Sequence, residues 1–388
     1  MSISCYATLA YRFLMLRLYI LGLALALMTA CEQPEDDPEP TQAPAAPADS
    51  TQSPADDAEE ETPSPEQILV LNEGQFQRAN ASIGRYELQE RVYRNAVFQN
   101  ASGVPLGDVL QSAHLAYGRL FLCLNNSRRI WVIDTATSQA VRSIDGVPYP
   151  QALWALDGQK AYATDLYRSF LYIIDWKEGR VQDSIDLKSP SWPMLQAGKY
   201  LFVGLRPVSL GGSIPESETN AIAVIDTETD ALVAKVSVPD YPQQLVRGPE
   251  GFIWVGCSGQ SSQLGAEEPA GVAKMSAQPP FEVVEQWTYD DAGLSDFQWN
   301  AGQSTWMWLR KGAVHRSKPA GFSLSETPWL KLDRVQTVAG LGTLPNGGVL
   351  IGDALDYVQP GWVYHYDHEG WLVNRFRAGV IPKGFLTL

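Results

Sequence analysis

The chain has 388 residues, with 44 acidic against 29 basic side chains, a formal net charge of −15, and 12 tryptophans and 16 tyrosines. An acidic chain without a basic stripe is not expected to bind nucleic acid. Four cysteines without a CxxC pair, and four scattered histidines without HExxH, give no support to a structural metal site.

Arg12 and Arg17 precede the apolar run LYILGLALALMTA, which stops at Cys31. A basic stretch, an apolar core and small residues before a cut describe a removable signal peptide over residues 1–30 rather than a spanning helix. The ending LMTAC resembles a lipoprotein box, with Cys31 as the lipidated first residue of the mature chain. The other reading is an ordinary secretory signal with a chance cysteine. Residues 31–67 contain acids, prolines, alanines and small polar residues, with no aromatic and no aliphatic larger than alanine. Such a stretch cannot bury enough apolar surface to offset its chain entropy, so a disordered spacer is expected. It holds 12 of the 44 acids and no Lys or Arg, which leaves the rest of the chain only mildly acidic. Glu35-Asp36-Asp37, close behind Cys31, resembles the export signal of lipoproteins displayed on the outer face of the outer membrane.

From Ile68 onward one unit recurs. RLFLCLNNSRRIWVIDTATSQAVRSIDGVPYPQAL aligns with KAYATDLYRSFLYIIDWKEGRVQDSIDLKSPSWPML, and a third copy starts at YLFVGLRPVS and carries a longer insert. Each copy has a strand ending in Ile-Asp, at Asp134, Asp175 and Asp226; weaker versions end near Tyr86, Met275, His315 and Asp367. Seven copies spaced by about 40–50 residues match the period of a four-stranded propeller blade. The predicted fold of residues 68–388 is therefore all-β, a seven-bladed β-propeller, with no helical period outside the leader. Cys123 and Cys257 fall in apolar strand patterns far apart and are expected to be buried free thiols. The first copy begins directly at its second strand, ILVLNEG, and the chain ends in IPKGFLTL. The C-terminal strand is predicted to complete the N-terminal blade, leaving no open sheet edge at the seam.

In a propeller blade, counted outward from the channel, two sets of loops share one face. They are the loops between second and third strands, and those leading from each outermost strand to the next blade. Here both sets are rich in Tyr, Trp, Arg, Asn and Asp, while the turns between third and outermost strands are short. Aromatics with polar handles around a rigid mouth suit a ligand site. The candidate binding residues are Phe76 in blade 1, Asn126 and Arg128 in blade 2, and Asp165, Tyr167 and Arg168 in blade 3. Arg206 in blade 4 and Asp353, Asp356, Tyr357 and Gln359 in blade 7 join them. The connections between blades add Tyr149, Trp192, Tyr241 and Phe297. Tyr149, Trp192 and Tyr241 each precede a proline, so packing between blades is their other reading. A solvated rim is the other reading for Arg168, Arg206 and Tyr357. Asp108, Asp165 and Asp353 could line a channel mouth, yet no His or Glu recurs at matching blade positions. No catalytic residue, resident metal or cofactor is expected on that ground.

The segments VLNEGQFQRANASIGRYE, GVPLGDVLQS, LNNSRRIWVID, KAYATDLY and GDALDYVQPGWVYHYDHEGWLVNRFRAGVIPKGF resemble the YncE-like, DUF5074-type propeller lipoproteins of Bacteroidetes. The resemblance spans essentially all of residues 68–388. It implies a non-catalytic surface lipoprotein of the outer membrane, similar to the cobalamin-capturing BtuG group. Such a protein passes its corrinoid to a TonB-dependent transporter of the BtuB type, and cobalamin would be cargo rather than cofactor. Tyr and Trp would cover the corrinoid faces, Asn and Gln its amides, and Arg168 or Arg206 its phosphate. The alternatives are capture of a siderophore, glycan or peptide beside another transporter, a lyase- or lactonase-type enzyme, and a purely structural or adhesive surface protein.

Overall fold

Burial along the strands explains the sequence pattern. The second strand of each blade lies between neighbouring strands and sheets and is apolar on both faces, as in Arg119–Leu124, Tyr200–Leu205 and Thr305–Arg310. Innermost strands such as Leu110–Ala116 are mostly half-buried, and outermost strands such as Ala231–Ser237 are largely exposed. The computed structural model describes residues 66–206, 220–261 and 267–388. The described strands form seven four-stranded sheets, the predicted seven-bladed propeller. The expected leader, Cys31 and nearly all of the spacer lie outside the described residues. The first strand is Gln67–Asn72, so it starts one residue before the expected boundary.

Ring closure follows the prediction. Blade 1 consists of Pro382–Thr387 innermost, then Gln67–Asn72, Ser82–Glu87 and Val92–Arg94. Ile68 pairs with Thr387 and Leu71 with Gly384. The neighbouring blade packs closely on this strand through glycines. A Cβ on Gly352 would collide with the carbonyl oxygen of Pro382, and one on Gly340 with that of Lys383.

Two local expectations are corrected. A short helix, Val97–Ser102, lies between blades 1 and 2 and buries Phe98 against Leu69, Ile83 and Leu106. One and a half turns carry no readable period, so only packing reveals it. The segment GLSDFQW is not a loop either, because Leu294–Asn300 is the innermost strand of blade 6. Between blades 5 and 6, Phe297 packs in an aromatic cluster with Trp254, Trp306, Trp308 and Phe322. Cys123 and Cys257 are buried and free, as expected.

Two histidines tie stability to pH. His365 is 3% exposed, with Nδ1 3.0 Å from the Tyr86 hydroxyl across the seam. His114 packs its ring 4.5 Å from that of Trp154. Burial pushes both imidazoles down to about 4. An unfolded histidine titrates near ~6.5, so between pH ~6.5 and ~4 the unfolded chain holds more protons and stability falls as pH drops. Asp296, pushed up to about 6 by loss of solvation, acts in the opposite sense over part of that window. The lowered imidazoles, His315 among them, outnumber the raised carboxyls Asp296 and Asp165 and leave a net loss. The melting temperature is expected to fall from pH 6.5 to 4, and His365→Gln should flatten the curve. A level profile in the unaltered protein would refute this.

Candidate functional site

The loop-rich face contains a cavity of about 470 Å³ at the channel mouth. Its walls come from Glu73 to Phe76 in blade 1, Gln111 and Asn125 in blade 2, Leu166 and Tyr167 in blade 3, Tyr357 in blade 7, and Ile381 just before the closing strand. Three of its aromatics face solvent: Phe76 is 65% exposed, Tyr357 54% and Tyr167 39%. Exposed rings that converge on one concavity from three separate blades are not scattered surface hydrophobics.

Local turn chemistry puts Tyr357 there. Asp356 accepts hydrogen bonds from the backbone N–H groups of Val358 and Gln359 and from the Gln359 side-chain amide. These bonds hold the Asp356 carboxyl at about 2 and stiffen the tip. Tyr357 itself takes a left-handed backbone, with φ 63°. Gln359 is thereby engaged with its own loop. The cavity floor is polar. Asn125 is 7% exposed, and its side-chain N–H₂ has no partner among the described residues. Lys383 and Glu73 pair at 2.6 Å beside it.

Burial takes three candidates out of the ligand-facing set. Phe297 is 0% exposed and stacks on Trp306 with centroids 4.8 Å apart. Asp165 and Asp353, 0% and 1% exposed, each end the second strand of their blade. The Asp165 carboxylate accepts the N–H groups of Tyr149, Tyr167 and Arg168 at 2.9–3.0 Å. Burial raises its pKa, and those N–H groups pull it back. The Asp353 carboxylate accepts from Gln336, Thr337 and Leu355 at 2.9–3.0 Å. The two aspartates do one job in two blades: each staples the incoming connection to the blade's own loop. Asp108 acts similarly, accepting from the Gln77 N–H and the Asn126 side chain. Asn126 therefore shapes its loop.

The remaining candidates form arginine–aromatic pairs. The Arg128 guanidinium lies 5.3 Å from the Tyr149 ring centroid, and Tyr149 meets Tyr167 edge-on at 5.0 Å. Arg206 lies 5.4 Å over Trp192, and the Tyr241 hydroxyl donates to the Gln260 side-chain oxygen. Arg168 is exposed. The sequence reading missed the floor. Each innermost strand shifts register near its start, and Gln111, Gln151 and Gln243 occupy that shift in three blades. The recurring LQS, PQA and PQQ were the available signal.

A family profile described as "Domain of unknown function (DUF5074)" matches residues 66–279. The chain belongs to the DUF5074 family. No curated protein matches this DUF5074 sequence. Several solved propellers are similar to it. A quinonprotein alcohol dehydrogenase-like protein from Bacteroides thetaiotaomicron superposes with a TM-score of 0.59 at 12% identity, over 83% of this chain and 78% of that one. For a putative 6-phosphogluconolactonase from Bacteroides fragilis the TM-score is 0.57 at 10% identity, over 84% and 99%. For the hydrazine synthase of Kuenenia stuttgartiensis it is 0.55 at 16% identity, over 68% and 85%. At such identities the likeness shows the fold alone, and the three titles describe different proteins. Among the described residues of the DUF5074 chain, no three His, Cys, Asp or Glu side chains converge as metal ligands would.

Proposed function

We propose that this DUF5074 propeller is a surface-anchored, non-catalytic lipoprotein of the outer membrane. It captures cobalamin or a related corrinoid on its loop-rich face and hands it to a TonB-dependent transporter of the BtuB type. The observation that carries the reading is the convergence of Phe76, Tyr167 and Tyr357 on one open cavity with an amide floor. A corrinoid is a broad, partly apolar ring fringed with amides. Exposed aromatics suit its faces, and Gln111 and Asn125 suit its fringe. The loops are held by carboxylate staples, so little entropy is lost on binding. The lipid anchor rests on the LMTAC pattern and on the acidic spacer behind Cys31.

Calorimetric titration of the purified protein with cyanocobalamin tests this. Sub-micromolar binding is expected, weakened about tenfold or more (~1.4 kcal/mol or more) by Tyr357→Ala. Binding that Tyr357→Ala leaves unchanged would move the ligand off this cavity. Absence of heat at high cyanocobalamin would reject the corrinoid and turn the search to siderophores, glycans and peptides.

A further inference from the structure

Desolvated guanidinium groups in this protein generally find acceptors. The fully buried side chain of Arg310 lies 3.7 Å over the Tyr289 ring, pairs with Asp291, and donates to the Ala292 carbonyl at 3.1 Å. Arg316, which also loses solvation, donates to the Gln303 side chain at 3.1 Å. Arg206 differs. It is half-buried over Trp192, and its backbone N–H donates to the Pro190 carbonyl. Among the described residues its guanidinium has neither a carboxylate nor a hydrogen-bond acceptor. Burial pulls its pKa below the usual arginine range, and Tyr241 opposes that shift. A partly desolvated charge left without a partner is unfavourable unless something else supplies one.

We propose that Trp192, Arg206 and Tyr241 form an oxyanion-binding subsite, outside the aromatic cavity, for the phosphate or carboxylate of a ligand that also carries a flat apolar part. The guanidinium offers five donors in a planar fork that matches either oxyanion. Trp192 packs against the guanidinium at 5.4 Å, and the donors of the fork are left for bidentate contact with an oxyanion. Tyr241, whose hydroxyl donates to Gln260, lies near enough to act on the Arg206 charge and would supply the flat apolar wall. The subsite does not depend on the cargo being a corrinoid.

The test is calorimetric titration of the purified protein with phenyl phosphate and with benzoate, at low and high salt. Saturable binding that weakens with salt is expected, and the better of the two probes identifies the oxyanion. Arg206→Met should weaken binding by about tenfold or more and raise the melting temperature, because a desolvated charge with no partner among the described residues is gone. A residue kept only for its packing on Trp192 would give the opposite thermal shift. If Arg206→Met fails to fold, Arg206→Lys decides instead: it keeps the charge, loses the fork, and should weaken binding at a nearly unchanged melting temperature. Tyr357→Ala should leave phenyl phosphate binding intact, which separates this subsite from the cavity. No saturable binding of either probe, or equal binding by the arginine variants, would overturn the proposal.

Discussion

A chain ending at Ile381 is expected to lose its cooperative fold. Removing Pro382–Leu388 strips the innermost strand from blade 1 and leaves Gln67–Asn72 with an unpaired edge. It also uncovers Gly340, Gly342 and Gly352, whose missing side chains exist to admit that strand. Lys383 leaves with it, and Glu73 loses its partner. The lost ladder, the unsatisfied backbone and the emptied contacts together exceed about 5 kcal/mol, against a total stability of about 5–15 kcal/mol for a typical domain. Thermal unfolding followed by circular dichroism would show the loss. A synthetic peptide of residues 382–388 added in trans should restore part of the transition. A truncated chain that melts cooperatively within a few degrees of the full one would mean that packing between blades alone holds the ring.

Phe297→Ala is expected to destabilise the protein by about 3–5 kcal/mol, while Phe76→Ala stays within about 0.5 kcal/mol. Phe297 is fully buried, stacked on Trp306 at 4.8 Å and tilted toward Trp308 at 6.3 Å. Truncating it opens a void among rigid indoles that cannot collapse to fill it. Phe76 is mostly in solvent and gives up almost no packing. Urea midpoints of the two variants check the difference. The ligand titration should invert the order, with Phe76→Ala weakening binding. A small urea effect for Phe297→Ala would place that ring outside the core.

These two phenylalanines show what the sequence could and could not convey. Strand ends marked by Asp134, Asp175 and Asp226, turn chemistry and the missing first strand were enough for blade number and closure. The boundary of an innermost strand was not. These strands border the channel and are only half-buried, so GLSDFQW has the mixed composition of a loop. A carboxylate at the end of a strand is ambiguous in the same way. Asp165 and Asp353 look like ligand contacts until the backbone N–H groups of the neighbouring connection are located, and those come from 16 to 17 residues away. The exposed members of the site were readable because no packing role competed for them. Tyr357 and Phe76 sit on tips where an aromatic ring has nothing of its own fold to cover.

The closing strand has a geometric consequence. Gln67 and Leu388 meet beside the turns at Leu115–Gly118 and Thr135–Ala136, on the side of the disc away from the cavity. The described chain therefore enters the propeller from behind, like a stem joining the back of a dish. Neither Gln67 nor Leu388 thus borders the mouth.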